Sequence, residues 1–180
     1  MTEVSKATIE AARRGEAAAW AAIYDALAPQ LLGFLRARRA PEPEDLLGEV
    51  LVQMVRDLPR FRGGWPELRA WSFAIARNRL TDDARCRHRR PLQPQPDEAL
   101  YAHAPTGDAE AEALGHLAGA ELLGLLERLT PDQRDVLLLR VVADLSVEET
   151  ARAMGKRKGA AKTLQHRAVA ALRRALEGRP

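Results

Sequence analysis

Residues 91–113 read PLQPQPDEALYAHAPTGDAEAEA, with four prolines, two short apolar islands and neither Lys nor Arg. Such a stretch has too few apolar side chains for a core of its own, and each proline removes a backbone donor that a helix or strand interior needs. It reads as a linker, so whatever folds must fold on either side of it. A chain of 180 residues suits one large or two small domains. We expect one unit over residues 1–91, a linker over 92–113 and a second unit over 114–180. Hydrophobic residues make up 46% of the chain and aromatic ones only 4%. Ala, Leu and Val therefore supply the core, which favours helices packed on helices, and an all-α fold is the expected class.

The net charge is only +3, but its distribution is uneven. Residues 1–91 carry 16 basic and 12 acidic side chains, residues 92–113 none and 5, and residues 114–180 carry 12 and 8. Two basic units flank an acidic strip. Arg77, Arg79, Arg85, Arg87, Arg89 and Arg90 gather in one segment. From Arg152 to Arg179, nine Lys and Arg side chains accompany a single acid, Glu177. Contact with a polyanion is the natural reading, because each neutralised phosphate releases condensed counterions. A merely solvated arginine-rich surface would give the same counts, so charge alone does not decide.

Other classes are poorly supported. No uncharged apolar run reaches about 18 residues, and the N-terminus carries Glu3 and Glu10 in place of a basic, then apolar signal. The expectation is a cytoplasmic chain without a membrane segment. Cys86 is the single cysteine and with His88 offers two metal ligands at most. There is no Gly-rich phosphate loop, nucleophile elbow or HExxH, and the adjacent Asp82 and Asp83 point apart on a helix. No catalytic residue, cofactor or metal is expected, and the chain reads as no enzyme.

Apolar spacing of three and four predicts a helix over 16–39, carried by Trp20, Ile23, Tyr24, Leu27, Leu31 and Phe34, with Pro29 bending or dividing it. A second helix is predicted over 44–58, with Leu47, Leu51, Met54, Val55 and Leu58 on its inner face and acids in its first turns, where the helix dipole favours them. Residues 59–66, PRFRGGWP, are too rich in Pro and Gly for helix or strand. A helix with an arginine-laden end follows over 67–88, with Trp71 on its core stripe beside Leu68 and Ile75. Beyond the linker a helical period resumes over 114–129. Thr130-Pro131-Asp132-Gln133 then supplies an N-cap, a first-turn proline and a capping-box Gln. That cap makes the apolar run Val136–Val142 a buried helix in preference to a strand. Ser146-Val147-Glu148-Glu149 is a second capping box, opening a short helix that ends near Gly155, and a last helix is predicted over 158–176.

A short helix, a glycine turn and a longer basic helix form a helix-turn-helix layout, whose second helix enters the DNA major groove. Lys158, Lys162 and His166 recur every four residues and share a face. Gln165 can read an adenine edge, and Arg167 or Arg173 can hold phosphate. The layout alone also fits a regulator of the LuxR type that binds duplex DNA unaided.

The first half narrows the choice. Glu44-Asp45-Leu46-Leu47-Gly48-Glu49, then Ala70-Trp71-Ser72-Phe73-Ala74-Ile75-Ala76-Arg77-Asn78-Arg79-Leu80, and the pair Asp82 and Arg85 resemble region 2 of the extracytoplasmic-function (group four) bacterial sigma factors, of the sigma-70 type. The second half resembles region 4 of the same family. Its carriers are Leu129 to Arg140, then Leu145 to Ala151, then Lys158 to Ala168. The resemblance implies a protein that binds core RNA polymerase through its beta and beta-prime subunits, recognises promoter DNA and helps to melt it. An anti-sigma factor is a further partner that the resemblance allows.

By similarity, Asp45, Leu46 and Glu49 are the polymerase contacts. Phe61, Arg62, Gly63 and Trp65, in the loop that captures a base flipped from the minus-ten element, join Arg77, Asn78 and Arg85 as contacts to the melted strand. Lys156, Arg157, Lys158, Gly159, Lys162, Thr163, His166 and Arg167 face the minus-thirty-five element. The acidic linker, at −5, is expected to thread a basic exit path as a mimic of RNA. Two positions depart from the family pattern. Gly48 stands where Gln is usual, and Gly159-Ala160-Ala161-Lys162-Thr163-Leu164 where Gly-Thr-Val-Lys-Ser-Arg is usual, so the promoter sequence does not carry over from relatives.

Overall fold

The computed structural model describes residues 3–89 and 124–177, to the backbone only over 84–89. The expected linker, with its RNA-mimic role, and the Arg85 side chain lie outside the described residues. The first unit contains α1 (Lys6–Arg13), α2 (Ala17–Ala37), α3 (Pro43–Asp57) and α4 (Trp65–Arg89), with a 3₁₀ turn, Leu58–Arg60, between the last two. The second contains α5 (Pro131–Val141), α6 (Val147–Ala153) and α7 (Lys158–Glu177), preceded by a helical stretch at residues 124–127. Among the described residues there is no strand.

Helix α1 was not legible as an apolar period, and it forms because Ser5 caps it: the Ser5 hydroxyl oxygen accepts from the Thr8 backbone N–H at 3.1 Å. Pro29 does not divide α2, which runs unbroken through it. Pro29 and Asp25, one turn earlier, are both exposed, so the carbonyl that loses its partner lies on the water side, where it is cheap to lose. Helix α2 is also the one described helix long and apolar enough to cross a membrane. Its Ile23, Leu27, Leu31, Phe34 and Leu35 are completely buried in the core, which accounts for that apolarity.

Those side chains meet Val50 and Met54 of α3 and Leu68 and Phe73 of α4. The Phe34 and Phe73 rings lie edge to face, centroids 5.6 Å apart, and tie α2 to α4. Full burial of each such side chain is worth about 1.5–3 kcal/mol. Val55, expected inside, is half exposed, because it lies about 100° around α3 from Met54, beyond the edge of the buried face.

Both predicted capping boxes are formed, at Thr130 with Gln133 and at Ser146 with Glu149. The run Val136–Leu139 is buried at every position because α5 lies between two partners, α7 on one side and α2 on the other. At Gly155 the φ of +62° places the chain in the left-handed region. Lys156 N–H donates to Ala151 O and Gly155 N–H to Arg152 O, the Schellman pattern that ends α6 and turns the chain into α7. The two units are packed together, with the densest inter-unit contact between α4 and α6.

Candidate nucleic-acid and polymerase interface

Helix α7 holds the expected groove-reading residues on its uncovered side. Lys158, Lys162 and His166 are exposed along one face, with Arg157, Gly159, Thr163 and Arg167 exposed beside them. Ala161 and Ala168 face inward, small enough to let the helix lie close on α5. A shallow groove of about 310 Å³ runs along the first turns, lined by Lys156, Gly159, Ala160, Thr163, Leu164 and Arg167. The Thr163 hydroxyl donates to Gly159 O at 3.0 Å, so its proton is used within the helix while its oxygen still accepts. Lys158 pairs with Glu148 of α6, and that hydrogen-bonding ammonium holds the Glu148 carboxyl below its ordinary value. Lys156, at the edge of that groove, is half-buried and pairs with Asp132 at 2.9 Å.

The loop before α4 takes a path that only glycine permits. Gly63 has φ +148°, and a Cβ there would stand 2.7 Å from Glu67 Cβ and 3.0 Å from Phe61 Cζ. The loop folds back so that Phe61 stacks on Trp71, ring centroids 5.2 Å apart and planes at 27°. Trp65 departs from its expected place, whereas Trp71 packs against the core as expected. Trp65, expected as a stacking face in the loop, opens α4 and is buried in the core. Trp71 is half-buried, with the core on one side and Phe61 on the other. The reason lies at the start of α4. Pro66 fits the first turn, where no N–H is required, and Glu67 Oε2 accepts the Gly64 N–H at 3.0 Å, so the helix begins two residues before the predicted start. The Gly64 N–H is also the main reason that the Glu67 carboxyl lies below its ordinary value. Arg62 is exposed and donates to Phe61 O at 3.0 Å. Asn78 is exposed and lines, with Arg77, Thr81 and Asp82, an open depression of about 470 Å³.

Arg77 is not free. Its Nε donates to Asp135 Oδ2 at 2.6 Å and its Nη2 to Asp132 Oδ1 at 2.7 Å, both from α5. Arg38, on the turn after α2, approaches the other oxygen of Asp135 at 2.8 Å, as an ion pair without hydrogen-bond alignment. Lys156, which hydrogen-bonds Asp132, is the largest cause of that carboxyl lying below its ordinary value. Burial opposes this, and Arg77 adds to it.

On α3, Asp45 and Glu49 are exposed and Leu46 is half-buried against the core. Glu49 pairs with Arg79 at 3.3 Å. Sequence reasoning missed Val52 and Val55, which are 59% and 52% exposed on the same helix. Val52 stands off the Leu47–Met54 stripe in the sequence, whereas Val55 carries no such signal. Sequence reasoning also missed Arg69, which is 4% exposed. Its position on the stripe Trp65, Arg69, Ser72, Phe73, Ala76 marked a charge pointing inward.

Among the described residues no group of three or more His, Cys, Asp and Glu could hold a metal ion. A family model for sigma-70 region 2 matches residues 23–90, and one for sigma-70 region 4 matches residues 119–172. The ECF RNA polymerase sigma factor BldN of Streptomyces coelicolor is 36% identical over 170 residues, spanning 93% of this chain and 64% of its own length. The ECF RNA polymerase sigma factor ShbA of Streptomyces griseus is 31% identical over 188 residues, spanning 96% of this chain and 95% of its own. CnrH, in its structure with the cytosolic domain of CnrY, aligns with a TM-score of 0.72 at 21% identity, over 96% of this chain and 97% of that one, and shares the fold. The region 2 match sets aside a LuxR-type regulator. Two family blocks in the same order, carried on the exposed basic helix α7 and on the α3–α4 face, show that the chain belongs to the ECF RNA polymerase sigma factors.

Proposed function

We propose that this chain docks on core RNA polymerase through α3, places α7 in the major groove of the minus-thirty-five element and receives the separated minus-ten strand against the α4 face. The observation that carries this reading is the pairing of an uncovered basic helix in the second unit with an exposed acidic and apolar face in the first. On that α3 face, Val52 and Val55 add apolar area beside Asp45 and Glu49, the composition of a surface that exchanges water for a partner. In the second unit, Lys158, Lys162, His166 and Arg167 supply charge for the phosphates and donors for base edges.

The minus-ten face works after the strands part. An unpaired base stacks on an aromatic ring with about 1–3 kcal/mol, enough to offset the unstacking of one step. Phe61, lying over Trp71, is the ring at the loop. Asn78 faces the depression beside Arg77, where a base edge can be held. The chain acts by binding and positioning, without catalysis of its own, and works in the cytoplasm beside the polymerase. Residues 1–91 and 114–180 are the two working units, joined by residues 92–113.

Run-off transcription with core RNA polymerase on fragmented host DNA, with transcript starts sequenced, tests the reading. Discrete new starts sharing two spaced upstream motifs are expected. Silence on every fragment, together with tight duplex binding by the chain alone, would overturn it.

A further inference from the structure

Four cations stand in the turn between α6 and α7 and on the first turns of α7: Lys156, Arg157, Lys158 and Lys162. The second unit divides them into two kinds. Lys158 pairs with Glu148 of α6 and Lys156 with Asp132 of α5, whereas Arg157 and Lys162 are exposed and have no ion pair among the described residues. Both acids occupy the second position of their helix, one residue before the Gln or Glu that completes the capping box. Both carboxyls are held below their ordinary value, and in each the lysine hydrogen bond is the largest cause.

The two acids of α6 have different work. Glu149 belongs to the fold: its Oε2 accepts the Ser146 N–H at 2.6 Å and its Oε1 accepts from the buried Arg69 of α4 at 3.1 Å. Arg152, one turn beyond Glu148, is likewise committed, to Glu67 of α4 at 2.7 Å. Glu148 and Lys158 are instead both open to water. An ion pair so exposed adds little to stability, so the consequence of this one lies in what Lys158 does at DNA.

Lys158 is the first residue of α7, and the N-terminal residues of a recognition helix are the ones that reach base edges. A lysine on its flexible four-carbon stem goes readily to a phosphate, and each such contact releases a counterion. Glu148 opposes that course, because it cancels the charge of Lys158 and sets a carboxylate where a phosphate would approach. An ammonium has three N–H donors. With one taken by Glu148, two remain, and guanine offers two adjacent acceptors, O6 and N7, in the major groove.

We propose that Glu148 is a positioning residue for promoter reading, holding Lys158 off the phosphates and turning its remaining donors to the O6 and N7 edge of a guanine. Arg157 and Lys162 then supply phosphate contact, and Lys158 supplies sequence preference. The inference rests on the reading of α7 as the minus-thirty-five helix and deepens it by naming the base that its first residue reads.

The test compares the wild type, Lys158→Ala, Glu148→Gln and the double variant. Each is titrated by fluorescence anisotropy against a duplex of about 25 random base pairs as salt rises from about 50 to about 200 mM. Because Lys158 is already neutralised, Lys158→Ala should leave the slope of log affinity against log salt unchanged, where Lys162→Ala lowers it by about one. Glu148→Gln should steepen the slope by about one and tighten binding about fivefold at the lowest salt, and adding Lys158→Ala should remove that gain. A slope lowered by Lys158→Ala alone, or a gain in Glu148→Gln that survives the loss of Lys158, overturns the proposal. Selection of duplexes with about eight randomised base pairs at the upstream element, by the chain bound to core RNA polymerase, reads the base itself. A guanine favoured by the wild type should lose its preference in Lys158→Ala and in Glu148→Gln; a preference kept in Glu148→Gln overturns the positioning role. The expected slopes in a chain that never directs polymerase keep the charge assignment and lose the sigma reading, and discrete transcript starts without those slopes do the reverse.

Discussion

The α4 face and the α7 face are both basic surfaces suited to nucleic acid, and the chain treats them in opposite ways. On α7, Lys162, His166 and Arg167 stand exposed. On α4, Arg77 is held between two carboxylates and Arg69 is buried in the turn before α6. Charge counts are blind to this difference, because it depends on which acids of the other unit arrive at each cation.

The largest expected effect breaks the comparison by opening the closed side. Arg69→Ala leaves Glu149 buried without its cation and should cost about 3–5 kcal/mol in urea unfolding. A loss below about 1 kcal/mol would mean that the contact holds nothing together. Next, Phe61→Ala removes the ring over Trp71 and should weaken capture of a separated strand by about 1–3 kcal/mol, with duplex binding unchanged. Equal loss on both probes would assign Phe61 to the fold. Lys162→Ala acts on the open side alone, lowering the slope of log affinity against log salt for duplex DNA by about one. Oligothymidylate binding should not move.

Gly48→Ala touches neither surface. A Cβ there meets nothing within 4 Å, so the variant should stabilise α3 by about 1 kcal/mol in thermal unfolding. If it weakens polymerase binding instead, close approach at Gly48 is part of docking. The smallest effect is one of pH. The Asp132 carboxyl lies below its ordinary value of 3.8. Its contribution to closure is therefore full above about pH 4 and is lost as pH falls through the lowered value. Scattering between pH 3 and 5 checks this, and Asp132→Asn should flatten the response.

Much of the architecture was legible because it is written locally. The two capping boxes fixed the starts of α5 and α6, and apolar periods fixed α2, α4 and α7. The exposure of the basic side chains on α7 was legible for the same reason: an exposed face needs no partner to define it. What could not be read depends on distant residues. Trp65 and Trp71 have the same local appeal as stacking surfaces, and only the start of α4 at Trp65 decides that this ring is buried. Asp132 reads as a first-turn dipole partner until Arg77 arrives from 55 positions away. Glu67 and Glu149 are legible as caps, but their second oxygens are committed only by tertiary packing.

The central claim is that the two units, packed together in the free chain, work side by side on polymerase as separate contacts to the promoter. The most direct measurement is the distance between spin labels at Ala21→Cys on α2 and Arg174→Cys on α7, in a Cys86→Ser background, by double electron–electron resonance. We expect one narrow distance for the free chain and a clearly longer one once core RNA polymerase is bound. The same distance in both states, with transcription still directed to discrete starts, would contradict it.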